Sequence, residues 1–315
     1  MKRIKAAAPS SGMGLTMIGP TLLEFGTEDQ KHRHIPGICD GSIRWCQGYS
    51  ETGAGSDLAA LKTKAEINGD HIIINGQKIW TSGGQHADWM FPLVRTDPDS
   101  KHDGISFVLF EMDQPGVTVK PIQLISGSSP FCETFLDNVI ARRDDLVGEL
   151  NKGWTVGKRL LQFERSGIGG LAGAKKKEKK MIANPLIDIA KEYTGIDANK
   201  IADQSAREKV LNHTMREQAL KLTAQRVSLE QRTVGTPGAA TSIFKLVGAS
   251  LDRDAKELKA ELMGYKGIGW EGDGFSRNEI DSTRMWLNSR AVTIYGGTNE
   301  VQMNIISKRV LGLPD

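Results

Sequence analysis

The spacing of apolar residues changes character twice along this chain, marking three regions. Up to about residue 35 it is helical. Gly19-Pro20 opens a stretch through Thr21, Leu22, Leu23, Glu24 and Phe25 that stops at Gly26. Thr27-Glu28-Asp29-Gln30 then sets a hydroxyl cap before two acids, the mark of a new helix N-terminus. From 36 to about 148 the pattern turns to short alternating runs. Asn68-Gly69-Asp70 and Asn75-Gly76 are turn signals on either side of His71, Ile72, Ile73 and Ile74, and the run Gln77 to Trp80 follows the second turn. Further strands are expected over 106–112, 117–121 and 133–139, punctuated by Gln114-Pro115-Gly116. Strands this short and this closely spaced indicate a small barrel or sandwich.

Beyond Gly153 the helical period returns. It is expected over 154–165, 202–232, 239–263, 282–294 and 300–310, and several helices with short connections indicate a bundle. The run 175–180 is almost all lysine and reads as a solvated face or loop. No internal repeat is present.

Composition adds exclusions. Hydrophobic residues make up 39% and charged residues 25%, the mixture of a globular chain, and 315 residues suffice for two or three domains. A net charge of +3 is small for this length and gives no footprint for nucleic acid. No apolar run approaches the roughly 20 residues of a membrane-spanning helix. Residues 1–9 lack the apolar centre of a secretory signal. Cys39, Cys46 and Cys132 are odd in number and lack metal-ligand spacing, so they read as buried, reduced thiols of a cytoplasmic protein. His32 and His34 are too few for a metal, which needs three or four ligands.

Three segments carry candidate chemistry. Trp45 to Asp57 reads as a strand end running into a loop of small residues, Gly53-Ala54-Gly55-Ser56-Asp57, where backbone can approach a ligand closely. Alone, it is equally a tight turn. Lys78-Ile79-Trp80-Thr81-Ser82-Gly83-Gly84 offers a flat apolar wall beside hydroxyls, suited to a planar heteroaromatic ring, or equally a core tryptophan at a strand end. Tyr295-Gly296-Gly297-Thr298-Asn299-Glu300 breaks one helix and caps the next with Thr298, leaving N–H groups for an anion.

Taken in order and at these distances, the three segments resemble the acyl-CoA dehydrogenase family over residues 14–313. The resemblance implies an α+β fold: an N-terminal helical domain of which 1–35 is a remnant, a middle β-barrel over 36–148 and a C-terminal four-helix bundle over 149–315. It implies FAD as cofactor. Gln47, Tyr49 and Ser50 fall where the family holds the flavin ring. Trp80, Thr81 and Ser82 fall on a second flavin segment, and Thr298 and Glu300 near the FAD phosphates and adenosine. Ser56 falls on the acyl-CoA channel and Arg165 at a CoA position. The implied partners are an acyl-CoA substrate, an electron-transfer flavoprotein as acceptor, and either a homo-oligomer (dimer or tetramer) or a mixed oligomer with a homologue.

The implied reaction removes an α-proton from a thioester, which requires a carboxylate base, and passes hydride from the β-carbon to the flavin. Many members place the base directly after the tyrosine of the third segment. Here that residue is Gly296, which retains only a backbone N–H to offer the carbonyl. Other members carry the base on a bundle helix directly before an arginine. In this chain that position is Glu164, ahead of Arg165, and Glu164 is the expected base. Two family features differ. The segment expected to contact FAD across subunits reads Asn184-Pro185-Leu186-Ile187-Asp188, and the late glycine-rich loop reads Met263-Gly264-Tyr265-Lys266-Gly267-Ile268-Gly269. Two alternatives stay open: a non-catalytic or partner-dependent subunit of a mixed oligomer, and a flavin oxidase or monooxygenase on the same scaffold.

Overall fold

A computed structural model describes residues 12–168, 184–234 and 241–314. The lysine run at 175–180 lies outside the described residues, as do the side chains of residues 165–168. The chain divides into two compact units. One comprises the described residues of 1–123 and 129–168, the other those of 124–128 and 169–315.

The first unit opens with helices α1 (Gly19–Phe25) and α2 (Glu28–Asp40). Thr27 closes a capping box: its hydroxyl accepts the Gln30 N–H, and the Gln30 amide oxygen accepts the Thr27 N–H. The Gln30 amide nitrogen then donates to the carbonyls of Asp144 and Leu146 at 2.7 and 2.8 Å. α2 runs past Pro36, beyond the expected end near residue 35, and stops at Gly41 in the left-handed conformation.

Eight strands follow: β1 (Trp45–Gly48), β2 (Lys64–Asn68), β3 (His71–Ser82), β4 (Trp89–Arg95), β5 (Ile105–Phe107), β6 (Phe110–Glu111), β7 (Val117–Ile122) and β8 (Phe131–Arg142). They form a curled sheet in the order β1-β4-β2-β3-β8-β7, with β5 and β6 added on β4. β4 is the shared strand. Its first residues pair in parallel with β1 and its last residue pairs in parallel with β2. The turn Asn68-Gly69-Asp70 is the expected hairpin. Asn75-Gly76 is not a turn: β3 continues through it against β8, and the register shift between Ile74 and Gly76 marks a bulge.

Period-two alternation divides this unit into two cores. Phe91, Leu93, Ile105, Phe107 and Leu109 face the helices, where they meet Ile18, Leu22, Tyr49, Val156 and Leu160. Met90, Val94, Val108 and Phe110 face the other way, toward Ile72, Ile74, Leu136 and Val139. Both faces of β4 are thus buried, which explains its continuous apolar run.

Helix α3 (Gly153–Ile168), read from sequence as the first bundle helix, packs inside this first unit. Gly153 starts it hard against β5, where a Cβ would lie 2.3 Å from the Phe107 nitrogen. Arg159 ties it to α1 through Glu24 at 2.8 Å and covers the Phe163 ring.

The second unit holds α4 (Pro185–Thr194), a two-stranded turn of β9 (Ile196–Asp197) and β10 (Lys200–Ile201), and then α5 (Gln204–Val234), α6 (Thr241–Leu262), α7 (Arg277–Asn288) and α8 (Asn299–Ile305). Leu186, Ile189, Val210, Leu258 and Leu262 join α4, α5 and α6 in one core. α4 was not foreseen, although Asn184 caps it and Pro185 occupies its first turn. α7 begins five residues before the expected 282, at a capping box of Ser276 and Glu279. Among the described residues no helix is long and apolar enough to cross a membrane. Cys46 and Cys132 are buried as expected, whereas Cys39 is exposed on the last turn of α2.

Candidate active site

In the first unit, β1 and β3 end side by side because the Ile79 N–H donates to the Ser50 carbonyl at 2.9 Å. This joins the Gln47–Ser50 and Trp80–Ser82 segments. Gln47 pairs with Phe91 across to β4, and its amide nitrogen is buried without a hydrogen-bond partner among the described residues. Tyr49 packs edge-on against Phe91 and Phe107, and its buried hydroxyl also lacks a partner. Ser50 is half-buried, and Ser56 is exposed on the loop beyond.

Trp80 is the backbone outlier of this region. Its φ is 61°, costly for a residue with a side chain, and its ring is 53% exposed with one edge toward Phe131. The reading of a buried core tryptophan is therefore set aside. The ladder between β3 and β8 shifts register from Lys78 to Thr81, which turns the ring outward. Thr81 is fully buried and its hydroxyl accepts from Thr134, so its side chain serves the sheet, while Ser82 is half-buried at the strand end.

Glu164 sits half-buried on α3. Two turns earlier on the same face is Gly157, where a Cβ would stand 3.3 Å from the Tyr49 hydroxyl. Burial drives the Tyr49 phenol well above its ordinary pKa, and the negative charge of Glu164 adds to the shift. Arg165 follows Glu164 on the helix, with its side chain outside the described residues.

The second unit holds the third segment. Gly296 and Gly297 both take positive φ, 66° and 91°. Thr298 caps α8 as expected, accepting the Val301 N–H at 3.2 Å. Glu300 is exposed on the first turn. Gln302 is fully buried with neither amide atom bonded, and the Asn299 amide oxygen is likewise without a partner among the described residues. Sequence reasoning missed this pair. Lys245 donates to the Val292 carbonyl at 2.6 Å and lies 5.5 Å above the Tyr295 ring.

Buried amide and hydroxyl groups left unbonded are rare in folded proteins. In the first unit, Gln47 and Tyr49 lie on the segment joined to the outward-facing Trp80, which suits a planar ring such as the flavin of FAD; in the second unit, the unbonded amides of Asn299 and Gln302 suit a polar group. By contrast, His34 is wedged between the rings of Trp45 and Trp89, and burial lowers its pKa to about 4. It is a packing residue, and its neighbour His32 is exposed.

Lys78 and Glu51, also missed, form a buried ion pair at 2.8 Å beneath the first two segments. The signal was present: Lys78 continues the inward alternation of Ile72 and Ile74.

Comparison with known proteins matches residues 46–139 to the acyl-CoA dehydrogenase middle domain and residues 151–311 to the acyl-CoA dehydrogenase C-terminal domain. The chain is 39% identical to the acyl-CoA dehydrogenase IpdE1 of Mycobacterium tuberculosis, over 98% of this chain and 78% of that protein. The Tcur3481-Tcur3483 steroid ACAD superposes with a TM-score of 0.84 at 30% identity, covering 96% of this chain and 76% of the other. The ChsE4-ChsE5 complex from Mycobacterium tuberculosis gives 0.81 at 30% identity, covering 98% and 79%.

Proposed function

The chain belongs to the acyl-CoA dehydrogenase family, and we propose that it performs α,β-dehydrogenation of an acyl-CoA thioester with Glu164 as the base. The observation that carries this reading is the position of Glu164, half-buried on α3 two turns beyond Gly157, whose place stands beside the Tyr49 hydroxyl, in a chain whose residue after Tyr295 is a glycine. An α-proton is removed only by a carboxylate held within reach, and α3 holds this one against the sheet. When bound, FAD supplies the acceptor for the hydride. Gln47 on β1, Tyr49 and Ser50 just beyond it, and Trp80 and Ser82 on β3 would hold the ring, and Thr298 and Glu300 would hold the remainder of the cofactor. The Gly296 N–H polarises the thioester carbonyl as enolate character develops. Ser56 lines the acyl-CoA path and Arg165 binds the CoA end. Electrons leave to an electron-transfer flavoprotein.

The likeness to a steroid ACAD supports a bulky, steroid-derived acyl group as the substrate class. A second reading, a subunit that works only beside a homologue, is favoured by Gly296 and by the likeness to the ChsE4-ChsE5 complex. The test is anaerobic titration with straight-chain and steroid-derived acyl-CoAs. Glu164→Gln is expected to slow substrate-driven bleaching of the flavin by ~10²–10⁴-fold, with flavin content retained. Bleaching of this variant at the wild-type rate removes Glu164 from the role.

A further inference from the structure

Lys78 has no exposed surface, yet it lies two residues before Trp80 on the same strand. Its ammonium donates to Glu51 Oε1 at 2.8 Å, to the Leu93 carbonyl at 2.7 Å and to the Tyr49 carbonyl at 3.4 Å. Those acceptors come from three places: the small-residue loop, β4 and the end of β1. Glu51 in turn accepts the backbone N–H groups of Lys62 and Thr63 at 2.6 and 2.9 Å, which closes the loop between them. Arg95, the other cation facing Lys78, is committed to the carbonyls of Ala59, Leu61 and Ser100 and does not compete for Glu51.

A buried ion pair is a poor source of stability, since an apolar pair of similar volume is often as stable or more so. What this pair does is geometric. It clamps Tyr49 to Glu51 onto β3 just ahead of the residue whose backbone flips to positive φ. We infer that Lys78 and Glu51 are a positioning pair that holds the Tyr49–Ser50 and Trp80–Ser82 segments in one register, and so sets how tightly and in what orientation the flavin is held. This rests on the flavin reading given above.

The test is FAD titration of the deflavinated full chain, followed by fluorescence quenching and the visible band shape. Three proteins are compared: wild type, Lys78→Met/Glu51→Gln, and Leu258→Ala, a core truncation in the second unit. The double variant carries no unpaired buried charge and is expected to melt near wild type while binding FAD at least ~10-fold more weakly, with an altered band shape. Leu258→Ala is expected to melt lower with an unchanged spectrum. A folded double variant with wild-type affinity and spectrum overturns the positioning role alone. A wild-type chain that takes up no FAD overturns the functional reading, and the inference with it. Should the double variant not fold, Glu51→Gln, whose amide oxygen still accepts from one of the two backbone N–H groups, is read by the same criteria.

Discussion

Replacing Lys78 and Glu51 together is expected to remove a pH dependence from the stability of the fold. Burial is the largest influence on the Lys78 ammonium and, with Arg95 adding, outweighs the opposing pull of Glu51, so its pKa falls from 10.5 to about 8. The folded chain therefore gives up this proton before the unfolded chain does. Across the window from 8 to 10.5 the unfolded state binds more protons, so stability rises with pH. The contribution is complete above 10.5 and is lost as pH falls through about 8. Its full size is about 3 kcal/mol, most of which is realised between about pH 7 and about pH 10. The assay is urea unfolding of wild type and of Lys78→Met/Glu51→Gln at both pH values. Other titrating groups are common to the two proteins and cancel. Wild type should gain on the double variant as pH rises. A difference that stays flat, or moves the other way, refutes the claim that burial dominates at Lys78.

Trp80→Gly relieves the positive φ at a half-exposed position. Apo-protein stability is expected to stay within about 1 kcal/mol of wild type, because relief of strain offsets the greater chain freedom of glycine. FAD affinity measured by fluorescence should fall. Gly153→Ala drives a methyl into the backbone at Phe107, and overpacking of this kind costs about 1–3 kcal/mol. Thermal unfolding should report that loss. Substrate-driven flavin reduction should fall further than flavin uptake, because Glu164 rides on the displaced helix.

The features legible in the sequence were those decided within a few residues. Thr27 and Thr298 announce their helices because a hydroxyl three residues before a free N–H is a local device. Asn75-Gly76 misled because a turn signal states only what the backbone tolerates; the partner strand β8 runs on past it, and a bulge results. Asn184-Pro185 is a readable helix start, since the Asn184 side chain accepts the Leu186 N–H and Pro185 fills the first turn. Lys78 was readable only by trusting alternation over residue type, since a lysine in line with Ile72 and Ile74 must find its partners inside. Glu51, its partner, lies 27 residues away and no local pattern joins them.

The proposed placement of the base at Glu164 rests on the same physics. Gly296 occupies the left-handed region at φ 66°, where a side chain costs about 1–2 kcal/mol, so the loop after Tyr295 is shaped for a residue without one. Position 164 has the opposite character. It lies on a helix whose first residue touches β5 backbone to backbone, whose Leu160 is fully buried and whose Arg159 is tied to Glu24. A carboxylate there inherits the rigidity of the sheet that also carries Gln47, Tyr49 and Trp80. The proposed base and the proposed ring-facing segments then belong to one compact unit, in which strand pairing and the Lys78–Glu51 pair join the segments. General-base catalysis depends on the placement of the base to within a hydrogen-bond length, and a helix seated on a strand maintains it more firmly than a glycine loop does.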